Sequence, residues 1–348
     1  MNHSESRMSS TRPAQHTGVA IEEVTGLRER TVLQSVFQSQ PFWVAVALLI
    51  LCLVMSWLQP EAFASADNVY NITRNFAFIG IMALGMTAVI LTGGIDLSVG
   101  SIMGVVGVVS GLVLQAGYHW LLAIVAGLGA GLIAGGINGG LVAYAGLPSF
   151  VVTLGMLSVA RSLAIVFSQN KMIYEFGPYG DTFNAIGGGQ AVGLANPVWA
   201  LIALLLLFSF LFNFTPWGRY LHAIGGNENA ARLTGVPVNR IKCGAYVVSA
   251  LTAAIAAIML TGWQGSALNN MGIGWELRVI AATVIGGANL VGGEGSALGA
   301  VIGSALIEVI RNGLLMAGVD ANWQGTFVGV FIVAAVLLQY LRGRRRAG

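Results

Sequence analysis

Residues 91–104 read LTGGIDLSVGSIMG, a break of glycine, aspartate and serine inside an otherwise apolar stretch. What surrounds the break fixes the class of protein. The chain of 348 residues is 56% hydrophobic, 9% charged, and has a mean hydropathy of +0.78. A soluble domain carries about 25% charged residues, so this chain has too few to cover a water-facing surface. It reads as an all-α polytopic membrane protein. A spanning helix needs about 20 mostly apolar residues. Ten stretches approach that length: 41–58, 76–92, 98–116, 120–143, 149–168, 198–214, 243–262, 277–287, 296–316 and 325–341. The third and eighth are short or interrupted by glycine, so the expected count is about ten, with a range of eight to ten.

Positive charge orients the spans. The segments that are inside when both termini are cytoplasmic hold Arg7, Arg12, Arg28, Arg30, Arg219, Arg232, Arg240, Lys242, Arg342, Arg344, Arg345 and Arg346, twelve of the 17 Lys and Arg residues. The outer segments hold Arg74, Lys171 and Arg278. The net charge of +3 therefore follows topology and is no sign of nucleic-acid binding. Residues 1–40 form a polar cytoplasmic tail, within which 24–40 has the pattern of a helix lying on the membrane surface. Residues 41–341 form the transmembrane domain with a cytoplasmic loop at 215–242, and 342–348 a basic tail.

The glycine-aspartate stretch recurs in altered form at 286–296, GGANLVGGEGS. Gly93, Gly94, Asp96, Leu97, Gly100, Ser101 and Gly104 find counterparts in Gly286, Gly287, Asn289, Leu290, Gly295, Ser296 and Gly299. Such recurrence predicts an internal duplication with broken helices. Glycine permits unusual backbone angles, and Asp or Asn caps a following helix. Irregular backbone at membrane depth is tolerated only where protein or a water-filled cavity surrounds it. Gly93, Gly94, Asp96, Ser98, Ser101, Gly286, Gly287 and Asn289 are thus candidates for a helix break that lines a translocation path. Elsewhere, Gly127, Gly131 and Gly135 recur every four residues and make one smooth helix face for close packing, with Asn138 as an interhelical hydrogen-bonder. Glu308 and Arg311 are spaced to pair on one face. Arg161 has no partner nearby in sequence.

The loop TPWGRYLHAIGGNENAARLTGVPVNRIKCGAY (215–246) contains a short helix pattern that Asn227 opens and Gly235 with Pro237 closes. Five stretches, TGGIDLSVGS (92–101), LPSFVVTLGMLSVARSLA (147–164), GRYLHAIGGNENAARLTGV (218–236), AATVIGGANLVGGEGSALGAVIG (281–303) and NGLLMAGVDANWQGTFVGVFIVAAVLL (312–338), resemble the permease subunit of bacterial ABC importers for monosaccharides, the ribose-type family. That resemblance implies a coupling segment at 226–236, with Asn227, Glu228, Ala230, Ala231 and Gly235 as contacts to an ATPase. It implies an inner-membrane location, an ABC ATPase subunit, a periplasmic sugar-binding protein, and a second permease copy in a homodimer or heterodimer. It also departs at Arg278, where the family often has an acidic residue after the EL pair.

No phosphate loop of the GxxxxGK[ST] type is present. ATP and magnesium are expected in the partner ATPase, with no cofactor or metal on this chain, and no catalytic residues are expected. Four scattered histidines have no ligand spacing, and Cys52 and Cys243 read as free core thiols. At the outer mouth, Gln264, Asn269 and Asn270 are candidate sugar-facing hydrogen-bonders, with Ser266, Trp263 and Trp275 beside them. Few buried ionisable groups are available for a proton relay, so an ion-coupled secondary transporter of a small polar solute stands as the competing reading.

Overall fold

The structure, a computed structural model, describes residues 39–320 and, beyond them, 323, 325–327, 329, 330, 333 and 337. The expected surface helix at 24–40, the basic tail and most of the last span lie outside the described residues. The helices are α1 (Gln40–Leu58), the single turn α2 (Pro60–Phe63), α3 (Ala66–Leu91), α4 (Val99–Gln115), α5 (Trp120–Ala143), α6 (Ser149–Phe167), α7 (Gly180–Gly188), α8 (Asn196–Phe214), α9 (Pro216–Gly226), α10 (Glu228–Leu233), α11 (Val238–Gln264), α12 (Trp275–Ile285) and α13 (Ala297–Met316). Seven of them, α1, α3, α5, α6, α8, α11 and α13, are long and apolar enough to cross a membrane. The apolar α4 has 17 residues and α12 only 11. A two-residue hairpin, Gln190–Ala191 with Leu194–Ala195, is the strand content among the named elements.

Helix α3 is the centre of the bundle. Its side chains Phe78, Ile81, Met82, Leu84, Met86 and Ile90 are fully buried. It starts ten residues before the expected position 76, because Asp67, Asn68, Asn71 and Arg74 hide its apolar period. Ser65 caps it by accepting from the Asn68 amide at 3.3 Å. The polar end makes its contacts within the bundle. Asn68 and Asn312 of α13 exchange hydrogen bonds of 3.2 and 2.8 Å, and the Arg74 guanidinium lies 4.1 Å from the ring centre of Trp263.

The smooth face of α5 packs as its glycines require. A Cβ on Gly131 would lie 2.8 Å from Ala254 Cβ, one on Gly135 2.7 Å from Ala250 Cβ, and one on Gly139 2.7 Å from the Cys243 carbonyl. Each is too close for a side chain, so the α5–α11 contact depends on the glycines. Asn138 donates to Ser98 Oγ at 2.9 Å, making the interhelical bond expected of it. Cys52 and Cys243 are free thiols.

A duplication is visible, in a register different from the sequence recurrence. Long α3, the non-helical segment 92–98 and the shorter α4 form one half. Long α11, the non-helical segment 265–274 and the shorter α12 form the other. Helix α11 packs on α3, α4 and α5, just as α3 packs on α11, α12 and α13. Helices α3 and α11 run antiparallel, with Phe78 beside Trp263 and Gly85 beside Ser249, so the two halves run in opposite directions, an arrangement common in transporters. The segment 265–274 descends along a glycine stripe on α4. A Cβ on Gly111 would meet Ala267 Cβ at 2.8 Å, one on Gly107 the Met271 sulfur at 3.4 Å, and one on Gly104 the Asn269 carbonyl at 3.1 Å. The motif at 286–296 instead joins α12 to α13.

Candidate coupling and translocation site

The loop at 215–242 folds into two helices set by local chemistry. Thr215 accepts from the Gly218 amide at 3.4 Å and opens α9 with Pro216 in its first turn. Asn227 ends α9 and caps α10, its Oδ1 accepting from Ala230 N at 3.0 Å. Glu228 accepts from Arg232 one turn on at 3.1 Å and from Lys242 at the start of α11 at 3.0 Å. Partial burial opposes its charge, but the hydrogen bonds and charges of Lys242 and Arg232 outweigh that and hold its carboxyl below the usual carboxylate range. Glu228 is therefore ionised at neutral pH, and it ties α10 to α11. Ala231 is buried, packed with Ile224 and Val238. Asn227, Ala230 and Gly235 are exposed. Gly235 has φ +86° with open space around it, so only backbone conformation demands glycine there. Leu233, which sequence reasoning passed over, is 88% exposed at the tip of this helix.

The two glycine motifs meet each other and this loop. Gly293 donates to the Leu91 carbonyl at 3.0 Å. A Cβ on Gly93 would stand 3.0 Å from the Val291 carbonyl, and one on Gly292 2.9 Å from the Gly93 nitrogen. Into the same point runs α9. A Cβ on Gly225 would collide with the Leu91 carbonyl oxygen and the Gly293 amide nitrogen. His222 Nδ1 donates to the Gly293 carbonyl at 2.9 Å. Gly225 and His222 thus seat α9 on both breaks at once. Sequence reasoning missed both; the GG pair at 225–226 was the available signal.

Inside the first break, Asp96 is fully buried. Its Oδ1 accepts from the Ser98 amide at 2.9 Å and the Ser98 hydroxyl at 2.6 Å, and its Oδ2 from Ser249 of α11 at 2.9 Å. Asp96 therefore turns the chain into α4 and bonds the two halves together. Ser98 and Ser101 are buried with it, and all three are shut off from solvent in this conformation. Gly93 is exposed and, with Gly94, Ser149, Glu228, Lys242 and Tyr246, lines a cavity of about 330 Å³. In the second motif, Gly286 lies against Gly299 and Ala300 of α13. Asn289 accepts from Val291 N at 3.1 Å within its own turn, while Ser296, accepting from Gly299 N at 3.1 Å, is the cap of α13. Asn289 is not.

On the outer side, Gln264 and Asn270 are exposed. Asn269 donates to Ser168 Oγ at 3.1 Å and Asn170 Oδ1 at 3.2 Å, fastening its segment to the end of α6. Glu308 and Arg311 pair through two hydrogen bonds, one of 2.8 Å. Among the described residues, no cluster of His, Cys, Asp or Glu has metal-binding geometry.

Opposed halves with breaks that meet beneath a helix pair are the architecture of a transporter's membrane subunit, and the comparisons with known proteins give its class as an ABC permease. The chain belongs to that permease family: the family described as branched-chain amino acid transport system / permease component matches residues 68–336. It is a multi-pass protein of the inner membrane. The probable ABC transporter permease protein y4mJ of Sinorhizobium fredii is 38% identical over 92% of this chain and 95% of its own length. The ribose import permease protein RbsC of Escherichia coli K12 is 37% identical over 84% of this chain and 91% of its own. The fructose import permease protein FrcC of Rhizobium meliloti is 35% identical over 89% and 88%.

Proposed function

We propose that this chain moves a monosaccharide, a pentose or hexose, from periplasm to cytoplasm by alternating access, driven by ATP hydrolysis in a separate ABC ATPase. Support for the sugar comes from the relatives, whose names specify ribose and fructose import. Support for the mechanism comes from one observation above all: α9 is wedged onto Leu91 and Gly293, so force applied at the cytoplasmic tip reaches both breaks. The tip itself, with Asn227, Ala230, Gly235 and the exposed Leu233, seats in a cleft of the ATPase. A partner must bind the two conformations with different affinity for the motion to be driven. A second permease copy completes the path, and a sugar-loaded binding protein delivers to the outer loops.

The test is reconstitution with the ATPase and binding protein in proteoliposomes. Uptake of labelled sugar is expected only with ATP and all components; uptake by this chain alone under an ion gradient would overturn the reading. Two variants probe docking. Leu233→Asp places a charge where an apolar side chain enters the partner, and co-purification of the ATPase is expected to fall at least tenfold. Gly235→Val strains a left-handed position without filling any occupied space, so the α10 tip shifts and ATPase recovery drops while the membrane bundle accumulates normally. Wild-type recovery with both variants would remove the docking role from this tip.

A further inference from the structure

Arg161 lies in the second half of α6, a membrane-spanning helix, yet its bonds are to backbone from elsewhere. Its Nη1 donates to the Asn269 carbonyl at 2.5 Å and the Met271 carbonyl at 2.9 Å, and its Nη2 to the Gly100 carbonyl at 3.2 Å. Asn269 and Met271 belong to the descending segment of the second half, Gly100 to the first turn of α4 in the first. The Glu276 carboxylate stands beside Gly100, within electrostatic range of the guanidinium. The space for this side chain is cut by glycine, since a Cβ on Gly104 would come to 2.8 Å of Nη1.

Non-helical backbone at membrane depth leaves carbonyls without intrahelical partners, and these must be satisfied. A charged side chain there is costly and retained for a task. The planar guanidinium is suited to this one, because its donors point in fixed and different directions and reach two segments together. Packing alone would be served by methionine. We propose that Arg161 is a positioning residue for transport: it clamps segment 265–274 onto α4, so that movement delivered at the cytoplasmic junction is carried to the outer entry. The guanidinium is a latch between the opposed halves, and Asn269 and Met271 act there through their backbone carbonyls.

The inference rests on the importer reading, and the experiment separates the two. The complete importer in proteoliposomes is assayed for ATP-driven uptake, ATP hydrolysis, and labelling of Asn270→Cys by a membrane-impermeant maleimide with and without nucleotide and vanadate. With Arg161 present, the labelling rate is expected to differ severalfold between nucleotide states. In Arg161→Met, uptake is expected to fall at least tenfold while basal hydrolysis and ATPase recovery stay within twofold, and labelling becomes independent of nucleotide. Arg161→Lys, which keeps charge and bulk but not the fork, is expected to restore part of the labelling contrast and to stay at least threefold below wild-type uptake; it carries the test if the methionine variant fails to accumulate. Wild-type uptake and labelling contrast in Arg161→Lys and Arg161→Met overturn the clamp alone. Uptake by the unaltered importer that does not require ATP overturns the importer reading and the clamp with it.

Discussion

Gly225→Val is expected to abolish ATP-driven uptake while leaving the ATPase bound. The residue is part of α9 and lies outside the exposed tip, so the surface offered by Asn227, Ala230 and Leu233 is unchanged. What changes is the seat of the helix. Even a single Cβ at 225 would occupy the space of the Leu91 carbonyl and the Gly293 amide, which are bonded to each other at 3.0 Å. Neither is the end of a flexible side chain, so α9 has to lift off the junction. Overpacking of this kind costs about 1–3 kcal/mol, a cost the bundle as a whole tolerates but the junction does not. ATP hydrolysis then proceeds without pulling on the breaks. The expected result is at least a twentyfold loss of uptake with hydrolysis reduced less than threefold. His222→Ala, which removes one hydrogen bond and makes no clash, is expected to give a milder loss, about two- to fivefold. Uptake and hydrolysis falling in parallel in Gly225→Val would mean that the variant weakens docking and that the junction is not the transmission point.

The class of fold was legible in the sequence because hydropathy over 20 residues is a strong signal that a membrane imposes directly. The stripe at Gly127, Gly131 and Gly135 was equally readable, since glycine at four-residue spacing has one dominant use between membrane helices. The first ten residues of α3 were not, because Asn68 and Arg74 look like loop until Asn312 is seen to bond the one and the Trp263 ring to lie against the other. The recurrence of GG-x-[DN]-L pointed to duplication but not to its register. Local similarity marks two backbone turns that meet in space, whereas the repeat is carried by helix order and direction, with segment 265–274 sharing no obvious motif with 92–98. The loop at 226–236 could be singled out by its caps and polarity. Arg161 stood out as a charge within a span and Gly225 as half of a GG pair, but their partners, like that of His222, could not be read, since each acts on backbone atoms distant in sequence and backbone partners leave no residue-type signature.

The ion-coupled reading and the ATP-driven one make opposite claims about Asp96, and Asp96→Asn decides between them. Asp96 is bonded to three donors, the Ser98 amide, the Ser98 hydroxyl and the Ser249 hydroxyl. These bonds hold the turn into α4 and tie it to α11, a task for an acceptor and not for a charge that loads and unloads. An asparagine of the same shape keeps its carbonyl toward both Ser98 donors, and its amide donates to the Ser249 oxygen in a reversed bond. Asp96→Asn is therefore expected to retain at least half of wild-type uptake, still dependent on ATP. Asp96→Leu leaves three buried donors without an acceptor. At about 1–3 kcal/mol for each unsatisfied group, the turn is destabilised by several kcal/mol, and little folded protein is expected, with uptake below about a tenth of wild type. A relay that carries protons or sodium through Asp96 predicts the reverse ordering for the conservative change: Asp96→Asn would accumulate normally and transport nothing. Measuring folded protein by size-exclusion chromatography alongside uptake separates the two, because loss of acceptor lowers both quantities together, whereas loss of a working charge lowers uptake alone.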